Sequence, residues 1–337
     1  MRRPLITVLA AALLLSPVAA LTAQADEVRS RMIRFGYGLN ENSNQGRAAK
    51  LFAEEVAKAS EGKLKMRTYA AASLGSDDQM QSALIGGAQE MMVGSTATLV
   101  GISKEMAVWD TPFLFSNSAQ ADAVLDGPVG RQVMDKLEEK GLVGLVYWEN
   151  GFRNMTNNVR PITKLEEFSG IKLRVMPNPV FLETFKLMGA NAVPLPFSEL
   201  FTALETKAVD GQENPFNTIL SSKFYEVQQY LTVTNHVYSP WIVTASKRWW
   251  DGLSQAEQGI LMAAAKKARD FERLDTREEA AKALAQLKAN GMQVNEISPD
   301  EVQRMRETAQ PAIQQVIDTV GQPLFDSVQA ELAKAPQ

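Results

Sequence analysis

Residues 31–62 read RMIRFGYGLNENSNQGRAAKLFAEEVAKASEG, and this stretch decides the fold class. Ile33, Phe35 and Tyr37 alternate with polar or small residues, the pattern of a half-buried strand. A polar turn from Asn40 to Gly46 follows. From Arg47 onward Ala48, Phe52, Val56 and Ala59 recur at helical spacing until Gly62 stops the run. The next segments repeat this order: Lys65 to Tyr69 predicts a strand, Asp77 to Gly86 a helix, and Met91 to Val93 a strand opening into Gly94, Ser95 and Thr96. Strand and helix alternating in this way predict an α/β chain with an open, largely parallel sheet covered by helices on both faces. In such sheets ligands bind in the crevice outside the carboxyl ends of the strands. The loops Asn40 to Gly46, Ser73 to Asp78 and Gly94 to Thr98 are therefore candidate pocket walls.

A second series starts after the buried-type strand Leu142 to Tyr147. It predicts a strand over Ile171 to Met176, helices over Val180 to Met188 and Ser198 to Thr206, and a short strand over Ala208 to Asp210. With 337 residues, too many for one compact unit, two series imply two lobes that meet near Glu149 and Asn150. Trp241 to Ala245 reads as a further strand returning to the first lobe. Ser254 to Asn290 contains no proline, begins with a Ser254/Glu257 capping box and stops at Gly291. At 1.5 Å per residue it would reach about 55 Å, beyond the diameter of one small domain. Gly259 and the Asp275-Thr276 pair are its weak points, so two readings stand: one helix across both lobes, or two helices broken near Asp275. Ser298 with Glu301, and Pro299 at the first helical position, start another helix.

Composition removes most familiar chemistries. There is no cysteine, which excludes disulfides, thiolate metal sites and cysteine nucleophiles, and one histidine cannot make a multi-histidine metal site. A net charge of −4 argues against nucleic acid as a partner. No Walker loop or dinucleotide glycine fingerprint is present, and no cofactor is expected. Arg2 and Arg3, the apolar stretch Leu5 to Leu21 and Ala23-Gln24-Ala25 form the three regions of a secretory signal peptide, with cleavage expected after Ala25. The mature chain is then expected to be soluble and exported.

Arg174 lies in an apolar strand between Leu173 and Val175, ahead of Pro177. If it points inward it needs an anion, and its planar fork suits a carboxylate; a salt bridge to an internal acid or a solvent-facing side chain is the plainer alternative. Arg153, in Gly-Phe-Arg-Asn, admits the same two readings. Asn214 can hydrogen-bond a carboxylate or serve a turn before Pro215. Glu213 caps a helix or pairs with an arginine. His236 lacks a nucleophile motif and reads as structural. Trp148, Phe216, Tyr238 and Trp241 are aromatic candidates for a cleft wall, although packing explains them equally well. Asp77 and Asp78 open a helix, where acids complement the dipole.

Taken in order, Gln45-Gly46, Leu74-Gly75 with Met80, Asn150-Gly151-Phe152-Arg153, Leu173-Arg174-Val175, Pro196-Phe197-Ser198-Glu199 and Asp210-Gly211-Gln212-Glu213-Asn214-Pro215 resemble one family over essentially the whole mature chain. This is the DctP-type periplasmic solute-binding subunit of tripartite ATP-independent periplasmic (TRAP) transporters. The resemblance implies a two-lobe periplasmic binding protein fold with mixed sheets flanked by helices and a long helix spanning both lobes. It places residues 26–150 and about 240–275 in lobe I, and 151–239 and about 276–337 in lobe II. It further implies a small organic-acid ligand, TRAP membrane permease subunits as partners and a monomer. Arg174 would form the main salt bridge to the ligand, assisted by Asn214 and Arg153, with Asn40, Ser76, Asp77, Ser95 and Thr96 facing it from the first lobe. An acidic residue found in some sialic-acid-binding members is replaced here by Ser95, so sialic acid is not expected; the polar, hydroxyl-bearing loops fit a hydroxylated acid such as a uronate or aldonate, and a smaller hydroxy acid, keto acid or aromatic acid stays open. The competing reading is a periplasmic hydrolase or lyase using His236 and Glu213, residues that nothing in the sequence brings together.

Overall fold

The computed structural model describes residues 27–336; the expected signal peptide lies outside the described residues. The described residues form eleven strands: β1 (Arg31–Tyr37), β2 (Leu64–Tyr69), β3 (Met91–Ser95), β4 (Leu142–Phe152), β5 (Asn154–Asn157), β6 (Lys172–Val175), β7 (Asn191–Pro194), β8 (Gly211–Asn214), β9 (Tyr230–Val233), β10 (Tyr238–Ser246) and β11 (Gln293–Glu296). They form two sheets, β2-β1-β3-β10-β4 and β11-β9-β5-β8-β6-β7, each flanked by helices. Both are mixed rather than largely parallel. In the first, β1 runs parallel to β2 and β3, while β10 returns from the second lobe and pairs antiparallel with β3 and β4. In the second, β6 is parallel to β7 and β8, and β5 is antiparallel to β8 and β9.

The strand expected over Ala208 to Asp210 forms instead over Gly211–Asn214. It carries no apolar side chain, so a search for hydrophobic alternation passes over it. All four of its residues are buried, because the neighbouring strands supply partners for the polar groups.

The chain passes between the sheets at two narrow points. Arg153 alone separates β4 from β5, and residues 234–237 separate β9 from β10. The third link is the helix Gln255–Ala289, which is continuous, so the reading with a break near Asp275 is overturned. Its 35 residues span about 52 Å at 1.5 Å each. Leu261, Ala264, Ala265 and Ala268 pack into the first-lobe cluster, and Leu287 into a second-lobe cluster. The middle is polar yet buried: Asn44 of the first lobe donates to Thr276 Oγ1 (2.8 Å), and Asn217 of the second donates to the Thr276 carbonyl (2.8 Å). The supposed weak point is where both lobes grip the helix.

The C-terminal helices Pro299–Thr308, Gln310–Val320 and Gln322–Leu332 depart from the assignment of residues 276–337 to lobe II. Met305 and Ala309 pack with Phe181 and Phe185 of the second lobe, but Val316, Leu324 and Val328 join Trp109, Ala121 and Val133 of the first. The tail therefore crosses back, as apolar residues at helical spacing find a face that the first lobe leaves open.

Gly259 lies on the exposed face of the long helix, with nothing within 4 Å of where a β-carbon would stand. Gly259→Ala is expected to raise unfolding free energy in urea by about 0.5–1 kcal/mol, because alanine restricts the unfolded chain and suits a helix. By contrast, a β-carbon at Gly144 would stand 2.2 Å from Met134 Cγ. Gly144→Ala is expected to cost about 1–3 kcal/mol through overpacking. Loss of stability in Gly259→Ala would contradict the helix geometry described.

Candidate functional site

The carboxyl ends of β1, β3, β6 and β8 converge on a cavity of about 650 Å³, counted out to its mouth, lined among others by Gly38, Ser95, Arg174 and Asn214. Phe197 packs against apolar clusters of both lobes, and Asn40 Nδ2 donates 2.8 Å to the Ser221 carbonyl across the cleft. The two lobes thus touch around this space.

Arg174 reaches the cavity because strand geometry alternates its neighbours. Leu173 and Val175 point into the second-lobe core, which leaves Arg174 on the opposite face, 1% exposed. Its Nε donates 2.8 Å to the Leu195 carbonyl. Neither η nitrogen has a partner among the described residues, and Nη1 is fully buried. Burial pulls the guanidinium down to about 10, against the pull of Glu213 and Asp77 in the other direction. A buried cation without its own acid is an electrostatic demand for an anion.

Arg153 is arranged differently. It pairs through Nε and Nη2 with the carboxylate of Glu213, and Nη2 also reaches Asn214 Oδ1 (3.1 Å). Its guanidinium lies 5.5 Å from the Phe181 ring centroid. Glu213 also meets His236 Nε2 at 3.0 Å, and His236 Nδ1 lies 2.7 Å from Thr234 Oγ1. Burial opposes the charge on Glu213, yet Arg153 and His236 outweigh it and hold the carboxyl below its ordinary range. Burial also lowers His236, so the neutral ring donates from Nε2 to Glu213 and accepts at Nδ1 from the Thr234 hydroxyl. Glu213 therefore pairs with an arginine, one of its two readings. His236 and Glu213 do meet, but both are 0% exposed and neither lines the cavity. Buried groups serving Arg153 cannot act on a substrate, which leaves the hydrolase reading without a site.

The first-lobe wall comes from Ser76, Asp77, Asp78, Ser95 and Thr98. Ser76 caps the helix Asp77–Ile85 in a capping box with Gln79, and Asp77 Oδ2 accepts 3.0 Å from the Ser95 N–H. Desolvation, aided by Asp78, lifts Asp77 to about 6. Away from the cavity, Asn178 bridges the lobes, donating to Asp110 Oδ2 (2.8 Å) and the Ala97 carbonyl (2.9 Å). Burial raises Asp110 to about 8 and Glu272, in the middle of the long helix, to about 8.

Of the residues expected in the cleft, Arg174, Asn214, Arg153, Ser76, Asp77, Ser95 and Trp241 line it. Five others do not. Asn40 spends its amide on the inter-lobe bond to Ser221. Thr96 is buried and donates to the Pro240 carbonyl (3.2 Å). Trp148 is core, its ring centroid 6.3 Å from that of Phe35. Tyr238 is packed edge-on between Phe115 and Phe152. Phe216 packs on the second-lobe cluster of Leu200 and Ile219. Aromatic type cannot separate a wall from the layer behind it. Thr98, Asn150, Met176 and Phe197 also line the cavity; each falls within a candidate loop, strand or motif of the sequence, but none is assigned to the ligand individually.

Asp110 and Glu272 hold protons in the folded state that they release when unfolded, from values near 8 against ordinary values of 3.8 and 4.5. The stability they contribute is full below the unfolded values and is lost as pH rises through the folded ones. The unliganded protein is expected to melt lower at about pH 9 than at about pH 7, and Asp110→Asn with Glu272→Gln to flatten that slope. An undiminished slope in the double variant would refute the assignment.

The family described as "DctP: Bacterial extracellular solute-binding protein, family 7" matches residues 35–319. The 2,3-diketo-L-gulonate-binding periplasmic protein YiaO of Escherichia coli is 36% identical over 283 residues, covering 84% of this chain and 86% of that protein. Among solved structures, the sugar acid binding protein DctPAm of Advenella mimigardefordensis in complex with galactonate is 48% identical, with a TM-score of 0.90 over 91% of this chain and 99% of its own. A TRAP periplasmic solute-binding protein of Polaromonas sp. JS666 bound to D-erythronate is 37% identical, with a TM-score of 0.86 over 89% of this chain and 98% of its own. Matched over most of its length in both sequence and fold, the chain belongs to the DctP family, periplasmic substrate-binding proteins of TRAP transporters rather than enzymes.

Proposed function

We propose that this protein captures a hydroxylated organic acid of the sugar-acid class between its lobes and delivers it to TRAP membrane permease subunits. The observation that carries this reading is the buried Arg174 guanidinium, whose η nitrogens have no protein partner among the described residues. The ligand carboxylate takes that place in a two-pronged salt bridge. Asn214, its Oδ1 engaged by Arg153, turns a remaining amide proton to the same carboxylate, and Arg153 contributes from behind. Ser76, Asp77, Ser95, Thr98 and Asn150 take the hydroxyl groups, and Trp241 forms the apolar side. The names of the related proteins that bind galactonate and D-erythronate support this class. The lobes rotate about the crossings at Arg153 and 234–237, and closure is favoured by contacts that only the closed form makes. The mature protein, cleaved after Ala25, acts as a monomer and binds no nucleic acid.

A thermal-shift panel of D-galactonate, D-galacturonate, D-erythronate, succinate and benzoate checks the class. Ligand at about 100 times its dissociation constant is expected to add about 2.7 kcal/mol of stability. Arg174→Ala is expected to lose about 2–5 kcal/mol of affinity, roughly 30-fold to several thousandfold, with an unchanged circular dichroism spectrum. Unchanged affinity, or a panel in which no carboxylate raises the melting temperature, would overturn the proposal.

A further inference from the structure

The wall that faces Arg174 carries a carboxylate that is not paired within the protein. Helix capping does not need Asp77, because Ser76 and Gln79 already close the capping box. Its Oδ2 is fixed by the Ser95 N–H at 3.0 Å. The carboxyl group lies over two glycines: a β-carbon at Gly94 would stand 3.0 Å from Oδ2, and one at Gly38 3.7 Å from Oδ1. Those bare backbones give the group room to lie flat in the cleft wall. Oδ1 has no hydrogen-bond partner, and Asp77 no salt bridge, among the described residues.

The surroundings give this end of the cavity a negative sign. Asp78, next on the same helix, adds a like charge, and the opposing cation is Arg174 on the far lobe. The ends of β1 and β3 packed against Asp77 contribute Gly38, Gly94 and Ser95, none of them charged. The cavity is therefore polarised, with a cation on its second-lobe wall and acids on its first-lobe wall. A hydroxyl group can donate to Oδ1. A second ligand carboxylate cannot, and brings a like charge into a partly desolvated site.

We infer that Asp77 makes the cleft selective for acids with a single carboxylate and a hydroxyl-bearing remainder, and rejects ligands whose far end carries a second carboxylate. This rests on the proposed function, whose carboxylate anchor is Arg174. Because desolvation and Asp78 place the Asp77 carboxyl near 6, the rejection is strong in neutral solution and relaxes as Asp77 is protonated.

The test uses acid pairs that differ only in the terminal group: D-galactonate with D-galactarate, and D-erythronate with meso-tartrate. Each is titrated calorimetrically into the mature chain at about pH 7.5 and about pH 5. In whichever pair the monoacid binds, it is expected to bind at least about tenfold more tightly than the diacid at the higher pH, with a smaller ratio at the lower. Asp77→Asn keeps an acceptor for the Ser95 N–H. It is expected to shrink the ratio at least about fivefold, mainly by tighter diacid binding, and to abolish its pH dependence. Asp78→Asn, in the same wall but more exposed to solvent than Asp77, is expected to move the ratio less. Monoacid binding with a ratio that Asp77→Asn leaves unchanged would overturn the selectivity and leave the proposed function standing. Failure of every carboxylate to bind the parent protein would overturn both.

Discussion

The buried cluster of Arg153, Glu213 and His236 fixes the rest of the molecule. Arg153 is the single residue between β4 and β5, Glu213 lies on the central strand β8, and His236 sits in the return crossing between β9 and β10. The Arg153 N–H donates to the Val237 carbonyl (2.9 Å), and the Phe113 N–H of the first lobe donates to the His236 carbonyl (2.8 Å). Both strand-to-strand crossings between the sheets are thus tied to one ion pair. Removing one partner of such a pair leaves a buried charge uncompensated, at a cost of about 3–5 kcal/mol. That coupling explains why Glu213, which acts on both cleft arginines, belongs to Arg153. Arg174, on the neighbouring strand β6, feels Glu213 only at a distance and keeps its η nitrogens for the cavity.

The long helix imposes the second constraint. Its apolar stretches anchor it in the cores of both lobes, so relative motion must be absorbed where its buried face is polar. There Glu272 accepts from the Glu149 N–H (2.7 Å), and Arg277 donates to Glu149 (2.7 Å) and Asp122 (2.8 Å). Hydrogen bonds and ion pairs tolerate small rotations and re-form, whereas a close-packed apolar interface does not deform continuously. The helix is thus held by apolar packing towards its ends and by hydrogen bonds and ion pairs at its centre.

Much of this was legible in the residues. Ser254/Glu257 capping, the absence of proline and the Gly291 stop located the long helix to within a residue or two, because caps act locally. The apolar flanks of Arg174 located β6 for the same reason. Strand β8 was misplaced because its burial is satisfied by hydrogen bonds across the sheet, and a polar Gly-Gln-Glu-Asn run has no local signature of depth. The contact of His236 with Glu213 joins residues 23 apart through sheet topology. Thr96 follows the wall residue Ser95 but opens a short 3-10 turn, Trp148 packs beside Phe35, and Tyr238 packs between Phe115 and Phe152. Spacing locates a loop at the cleft; which of its side chains enters depends on register, fixed only when the strands pair.

A chain with a net charge of −4 does not attract anions by its overall field. Capture must come from charge placed locally, and the placement of Arg174 makes it effective. Its desolvation is completed on folding, so in the proposed complex the ligand carboxylate would meet a cation already stripped of water and held by the Leu195 carbonyl in one orientation. Binding then requires desolvation of the ligand alone, and the interaction is made in a medium less screening than water. The same argument sets the sign of the far wall. A second exposed arginine would strengthen attraction for any anion, whereas an acid there admits anions with one charged end and hydroxyl groups beyond it. A site that holds its cation buried and its acid opposite gains selectivity from the same low dielectric that gives it affinity.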